Sequence, residues 1–534
     1  MPKRFKKAAL KRRQRRSKQT GNRLTRFEIL ETRRVLAGIV DVTLDDATGL
    51  LTLVGDINSN EVEIRQDLTA AADSFQLVGL GGTRLAVDTV FGRTEFDDLT
   101  LTNVKDINID FTAGGTDTLS FLPPSDGAGG SMDRHSSLEG DLSITTDGPG
   151  LLLLDGVDVE TLSIVQPFGG SPTNVDLSDV IVVNVTEIIT TAGESNIKIE
   201  DSHLDGGLYI ENGIGDDILS IEDTEIGGGV VRPAPAKDYL PEVLTILNGD
   251  GRTDITMVSS TTVTPGTVVH GGASVTNGDG YDSLLMEGVH IYGGVVIDNG
   301  AGDAFGGANV MIEADSMVGT DLIDGNGLVL TNGIRRDTLS INDSTLPNGM
   351  LVDNSAADDA GNDVEVLGST IGGNPLYGTA VQVINGDGND VMNLSQSMLL
   401  GLVDLGLGGG NDSVMMDGTT VTGILSIGNN APFIPAFILA ELQADLPGLV
   451  AADSSDGEGR DSVTLQNTEV MGGTYINLGD DVDTLELLTG TRLHTLGVLE
   501  GGGSFSDRVV LATDLVMRQD LRGFEVTEIA PATA

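Results

Sequence analysis

The residues of this chain best placed to do chemistry are acidic ones that recur after a Gly-x step. From residue 191 onward the anchors run Ser195, Asp217, Asp254, Asp282, Asn309, Asp337, Asp363, Asp390, Asp412, Asp461, Asp483 and Asp507. Carboxylates in such a row have three uses. They cap backbone N–H groups at corners. They pair as acid and base in glycoside cleavage. They attract cations, because like charges one strand spacing apart repel. Other catalytic sets are missing from the sequence. No Gly-rich turn leads into Lys-Ser/Thr, and there is no G-x-S-x-G or H-E-x-x-H. Cysteine is absent, which removes thiol catalysis, thiolate metal sites and disulfides.

What positions these residues is a repeat. Counted from the anchor, apolar residues fall at +2 and +4, Ser or Thr near +7, an apolar residue at +9 and a Gly pair near +11. Two more apolar positions and Asn-Gly-x-Gly lead to the next anchor. DILSIEDTEIGGG from Asp217, DSLLMEGVHIYGG from Asp282 and DSVTLQNTEVMGG from Asp461 show it directly. Most steps are 22 to 28 residues, with two long ones of 37 and 49. A fixed period in that range marks a solenoid. Alternation at +2 and +4 predicts a strand with one inward face. The +9 residue and the pair after Gly-Gly predict two more short strands, with Gly and Asn at the corners. One copy cannot bury its inner face, but stacked copies can. The expected fold is all-β, a right-handed parallel β-helix of about 22–28 residues per coil, in which a dozen coils reach roughly 55 Å at ~4.8 Å each.

Composition agrees with a thin solenoid. Gly makes up 73 of 534 residues, and Trp is absent. The net charge of −50 hides an asymmetry. Residues 1–38 carry 14 Lys/Arg against 2 Glu, and the remainder carries 16 Lys/Arg against 78 Asp/Glu. The acidic body repels nucleic acid and anionic surfaces and attracts divalent cations. Five His are scattered; His203 and His290 sit at +8, beside the inward +9 position, and are expected at the surface.

In chain order, residues 1–38 form a basic export or targeting segment, expected to be a disordered arm. Residues 39–190 read as degenerate coils and a cap, and 191–534 as the regular β-helix. Weak copies begin early, at GGTDTLSF (114–121). Insertions at 232–245 and 433–455 explain the long steps and fall in the same third of the repeat. The second contains PAFILAELQADL, with the pattern of a short amphipathic helix that covers an apolar edge or faces a partner. The longest apolar run, APFIPAFILA, is too short to span a membrane, so no transmembrane segment is expected.

Two stretches resemble known families. Phe27, Glu28, Leu30, Glu31, Arg33, Arg34, Leu36 and Ala37 resemble the LEPR-XLL motif that follows a basic arm in large planctomycete exported proteins. Thr32 stands for its usual Pro and Val35 for its first Leu. That resemblance implies export to the bacterial cell surface or beyond. NGDGNDVMN (385–393) and NGDGYDSLL (277–285) resemble the nonapeptide of RTX-type repeats, with Asn for the first Gly. In that family Asp carboxylates and loop carbonyls hold Ca²⁺, which takes six to eight oxygens. The resemblance implies Ca²⁺ ligands at Asp217, Asp254, Asp279, Asp282, Asp337, Asp363, Asp387, Asp390, Asp412, Asp461 and Asp483. The chain departs from the family in having one such motif per coil rather than two.

The sequence therefore points to a non-catalytic exported structural or adhesive surface protein, possible partners being divalent cations, surface or matrix polymers and other surface proteins. The alternatives are a polysaccharide-active β-helix enzyme and a partner-binding display module. A tight group of Asp with Arg or Tyr that breaks the pattern would favour the enzyme.

Overall fold

A computed structural model describes residues 38–530, apart from 68, 70–72, 125–134, 148–149, 168–172, 230–241, 261–265, 301–306, 320–326, 356–360, 374–377, 429–458, 503–505, 518 and 525. The described residues hold strands and turns and no helix. Each regular coil contributes three strands. The coil of Asp217 has a front strand, Asp217–Glu222, a short side strand, Glu225–Ile226, and a back strand, Glu242–Leu247. Each pairs in parallel with its counterpart one coil on: Thr253–Val258, Val268–Val269 and Gly272–Thr276. Repeated along the chain, this gives a parallel β-helix. The back strands form a sheet of 20 strands and the front and side strands a sheet of 31, counted over the described residues. Front and side strands share a sheet because two early coils run them together, as Gly150–Val159 and Thr173–Val182.

Alternation decides what is inside. At +2 and +4, Leu219 and Ile221, Leu284 and Met286, Leu339 and Ile341, and Val463 and Leu465 are buried; at +9, Leu204, Ile226, Ile291, Leu399 and Val470 are buried. They belong to one continuous apolar core. The corner between front and side strands turns on one left-handed residue at +6. Asp179, Asp201, Asp223, Asp343, Gln396 and Asn467 hold positive φ there, as do Gly156, Gly288, Gly368 and Gly418. Asp, Asn and Gly tolerate that region best. The Gly of Gly-x-Asp has a different cause. Its neighbours in adjacent coils stack so tightly that a Cβ on Gly280 or Gly459 would collide with the carbonyl of Gly251 or Gly410.

The two ends of the described chain differ. Before residue 106 several pairings are antiparallel. Ile39–Asp45 pairs with Leu50–Val54, Glu61–Gln66 with Phe75–Gly79, and Arg84–Thr89 with Gly92–Phe96. These hairpins close the first coil, and their outermost strand carries exposed Arg93 and Glu95, which discourage edge-to-edge pairing. Parallel pairing runs from Asp106–Phe111 onward, so regular coils begin well before the sequence repeat becomes clear. Of the two insertions, residues 433–455 lie outside the described residues. The first is shorter than expected, because Glu242–Thr245 already belongs to a back strand.

Inward and outward neighbours should respond differently to truncation. Ile221→Ala is expected to cost about 2–5 kcal/mol. Ser220→Ala, one residue away on the outer face, should stay within about 0.5 kcal/mol of the parent. Urea unfolding followed by circular dichroism reads both; comparable losses would contradict the inward assignment.

Candidate functional site

Pairing register decides which of the candidate aspartates meet. The front strands align Asp117, Gly150, Thr173, Ser195, Asp217, Thr253, Asp282 and Ala308 in one column. Asp337, Asn362, Asp390, Asp412, Asp461, Asp483 and Asp507 continue it, each joined to its predecessor through a side-chain oxygen. Seven of the eleven candidates therefore share a column: Asp217, Asp282, Asp337, Asp390, Asp412, Asp461 and Asp483. Asp254 and Asp363 do not. Thr253 and Asn362 hold the column position, and alternation turns the next residue outward. There Asp254 meets Arg252 at 2.8 Å and Asp363 meets Arg336 at 2.5 Å. Asp279 and Asp387 lie in the exposed turn before the column. Asp117, in the weak copy GGTDTLSF, is a column member that the sequence did not single out as a candidate ligand.

The column aspartates are buried, at 3% exposure or less. One oxygen of each has the same task. Oδ1 accepts the backbone N–H of the column residue in the preceding coil: Ser195 to Asp217 at 2.8 Å, Thr253 to Asp282 at 3.0 Å, Asp390 to Asp412 at 2.8 Å, Asp461 to Asp483 at 2.8 Å. The other oxygen, Oδ2, is buried without a hydrogen-bond partner in Asp117, Asp217, Asp337, Asp390, Asp412 and Asp483. Burial pushes the carboxyls up: Asp117, Asp217, Asp282, Asp337 and Asp390 to about 6, Asp483 to about 7 and Asp412 to about 9. The N–H bonds oppose that rise, while Asp390 and Asp461 add repulsion at Asp412.

Two further columns run beside this one. Asn212, Asn248, Asn277, Asn299, Asn332, Asn354 and Asn385 form an amide ladder. Each Nδ2 donates to the Oδ1 of the next at 2.6–2.9 Å. Five of them, Asn212, Asn248, Asn277, Asn299 and Asn385, are the Asn of Asn-Gly-x-Gly, expected at positive-φ corners; all seven are buried and none has positive φ. The +7 hydroxyls form the third column. Ser369 Oγ donates to the Leu367 carbonyl and accepts the Ser344 N–H. Ser397 repeats this with the Ser395 carbonyl and the Ser369 N–H.

Does the Asp column fit calcium? Each carboxylate has spent one oxygen on an N–H group. Where Asp alternates with Thr253, Ala308 and Asn362, the remaining oxygens are two coils apart. No group of three or more His, Asp or Glu converges as a metal would need among the described residues. The donor set of that half suits a corner cap rather than a calcium shell. From Asp390 to Asp507 the aspartates occupy consecutive coils, one strand spacing apart, although no group of three converges there either among the described residues.

On the outer surface, His203 is exposed as expected, with Glu225 at 3.4 Å; His270 meets the same carboxylate at 2.6 Å. Among the described residues there is one Asp–Arg–Tyr group: Arg252 bonds Asp254 and lies over the Tyr281 ring at 5.7 Å. It is exposed rather than set in a cleft.

No protein-family model matches the chain, and no curated protein or solved structure matches it significantly. No helix among the described residues is long and apolar enough to cross a membrane.

The raised carboxyls set a pH dependence. Unfolded aspartates titrate near 3.8, folded ones here near 6 or above. Between those values the folded chain binds more protons than the unfolded one, so rising pH lowers stability. The contribution is complete below 3.8, falls mainly between about 4 and about 6, and continues to fall to about 9 through Asp412. In chelator, the urea midpoint should drop from mildly acidic to mildly alkaline pH. Asp412→Asn keeps the Oδ1 acceptor without the charge, and should recover on the order of 1–3 kcal/mol on the alkaline side and little in acid. A midpoint flat with pH would contradict the assignment.

Proposed function

We propose that this chain is a non-catalytic, exported structural or adhesive β-solenoid of a bacterial cell surface. One observation carries the reading: the polar residues that repeat along the chain are spent on holding coils together. Column Asp, ladder Asn and +7 Ser/Thr each bond to the neighbouring coil. What the molecule then offers is length and an acidic exterior, suited to contact with surface or matrix polymers, cationic partners or other surface proteins. Export rests on the resemblance at residues 27–37, which lie outside the described residues.

Calcium stabilisation is a finer part of the proposal and is confined to the run Asp390, Asp412, Asp461, Asp483 and Asp507. The buried Oδ2 atoms of Asp390, Asp412 and Asp483 favour it. A divalent ion there would neutralise adjacent carboxylates that otherwise take up protons.

A polysaccharide-active enzyme is the second reading, favoured by the Arg252–Asp254–Tyr281 group.

Incubation of the full chain with cell envelopes and with purified acidic and neutral glycans tests the main reading. Retention without release of new reducing ends or unsaturated products is expected. Turnover abolished by Arg252→Ala would replace it with the enzyme. For calcium, a melt at alkaline pH in chelator, Ca²⁺ and Mg²⁺ should show a Ca²⁺-specific rise that Asp412→Asn reduces. Identical melts would remove calcium and leave the scaffold.

A further inference from the structure

The amide ladder has a chemical property that its mechanical role does not require. Six of its seven members are followed by Gly: Asn212, Asn248, Asn277, Asn299, Asn332 and Asn385. In an open chain Asn-Gly is the pair most prone to ring closure, because Gly has no Cβ to hinder its nitrogen. The Gly backbone nitrogen attacks the Asn Cγ and loses its proton. The bond from Cγ to the side-chain nitrogen breaks, and ammonia leaves. Water then opens the succinimide at either carbonyl, giving Asp or its β-linked isomer. No oxidant or cofactor is needed.

In the closed coil each requirement is opposed. Nδ2 and Oδ1 of the interior rungs are held by neighbouring rungs, as at Asn277, which accepts from Asn248 at 2.7 Å and donates to Asn299 at 2.9 Å. That fixes Cγ. All seven are 7% exposed or less, so the water that completes the reaction is kept out.

We propose that the Asn ladder is a set of latent deamidation sites, inert in closed coils and converted when a coil stays open. Conversion is one-way, and it bars the coil from closing. The product has a carboxylate where the amide donated. The rung's N–H···O bond becomes an O⁻···O contact, and a charge must be buried inside the solenoid. The β-linked isomer also adds a backbone atom to a corner whose register is fixed on both sides. The ladder therefore turns prolonged opening of a coil into a covalent change. The same molecule holds a control. Asn348-Gly349 is an Asn-Gly pair outside the ladder: Asn348 is half-buried, its buried Nδ2 has no partner to hold Cγ, and the Gly349 N–H donates to the Leu346 carbonyl at 3.2 Å.

The test is incubation of the full chain at mildly alkaline pH, native and in denaturing urea, with peptide mass spectrometry of each Asn-Gly site. In urea the six ladder sites and Asn348 should convert at similar rates. In the native protein the ladder sites should slow by roughly 100-fold or more, as for a segment that opens as rarely as a packed core. Asn348, whose amide no rung holds, should slow clearly less than the ladder sites. Ladder sites that convert as fast as Asn348 in the native protein would overturn the protection. The one-way step is tested on two variants at the same rung. Asn299→Asp mimics the product, and Asn299→Leu removes the hydrogen bonds without adding charge. The Leu variant should keep a higher urea midpoint at alkaline pH. An Asp variant equal to the parent, or equal to the Leu variant, would overturn it.

Discussion

One hydrogen bond organises this molecule: the bond from the N–H at the head of each front strand to the coil that follows. Where the next coil offers an aspartate, Oδ1 accepts the hydrogen bond, as Asp412 does from Asp390 at 2.8 Å. Where it offers Asn362, the amide oxygen does the same for Asp337 at 2.9 Å. Where it offers Thr253, the N–H of Asp217 turns to the Arg252 carbonyl at 2.8 Å. Each choice satisfies a buried donor, and each fixes where the next strand begins. Strand register follows, and with it the division between Ile221 inside and Ser220 outside. Loss of a buried N–H partner costs about 1–3 kcal/mol, comparable to a core methyl or two, so the corner and the core contribute on the same scale.

An aspartate cap has an electrostatic consequence that an asparagine cap lacks. Two carboxylates on adjacent coils, ~4.8 Å apart, repel by about 3.5 kcal/mol at an effective dielectric of about 20. At two coils the figure halves. Between Asp217 and Asp390 the column alternates, with Thr253, Ala308 and Asn362 between carboxylates, so the larger repulsion is avoided. From Asp390 onward it is not. The difference marks Asp412 and Asp483 as the places where a proton is most strongly held.

Most of the fold was legible because alternation and period are read directly from side-chain types. The +2, +4 and +9 positions reach the core as the sequence suggests. The candidate site was less legible, and the reason lies in the choice of anchor. Counting from Asp254 places Thr256 and Val258 at +2 and +4; counting from Thr253 places Ile255 and Met257 there. Counting from Asp363 gives Glu365, while Asn362 gives Val364 and Val366. In both coils the apolar pair marks the true register, because burial of two side chains outweighs the identity of one cap. The first coils were obscured for a related reason. Gly150, Thr173 and Ser195 fill the column without a carboxylate, so the spatial repeat continues where the sequence motif fades. The amide ladder was missed because Asn-Gly ordinarily marks a turn; only the succession of such pairs, coil after coil, signals a stack.

The Asn and Asp columns are linked across the corner that separates back from front strands. Asn212, Asn277, Asn332 and Asn385 each stand five residues before an aspartate whose carboxyl lies near 6: Asp217, Asp282, Asp337 and Asp390. At Asp412 and Asp483 the corresponding residues are Leu407 and Leu478, fully buried, and the carboxyls rise to about 9 and about 7. Desolvation is the largest cause at every one of these positions, and a leucine in place of an amide takes a polar group out of that corner. Contiguous carboxylates and apolar corners thus coincide in the same coils. Each change raises the cost of an ionised column, and together they divide one solenoid into two electrostatic segments. The earlier is locked by neutral amides and widely spaced acids, and the later depends on what neutralises it.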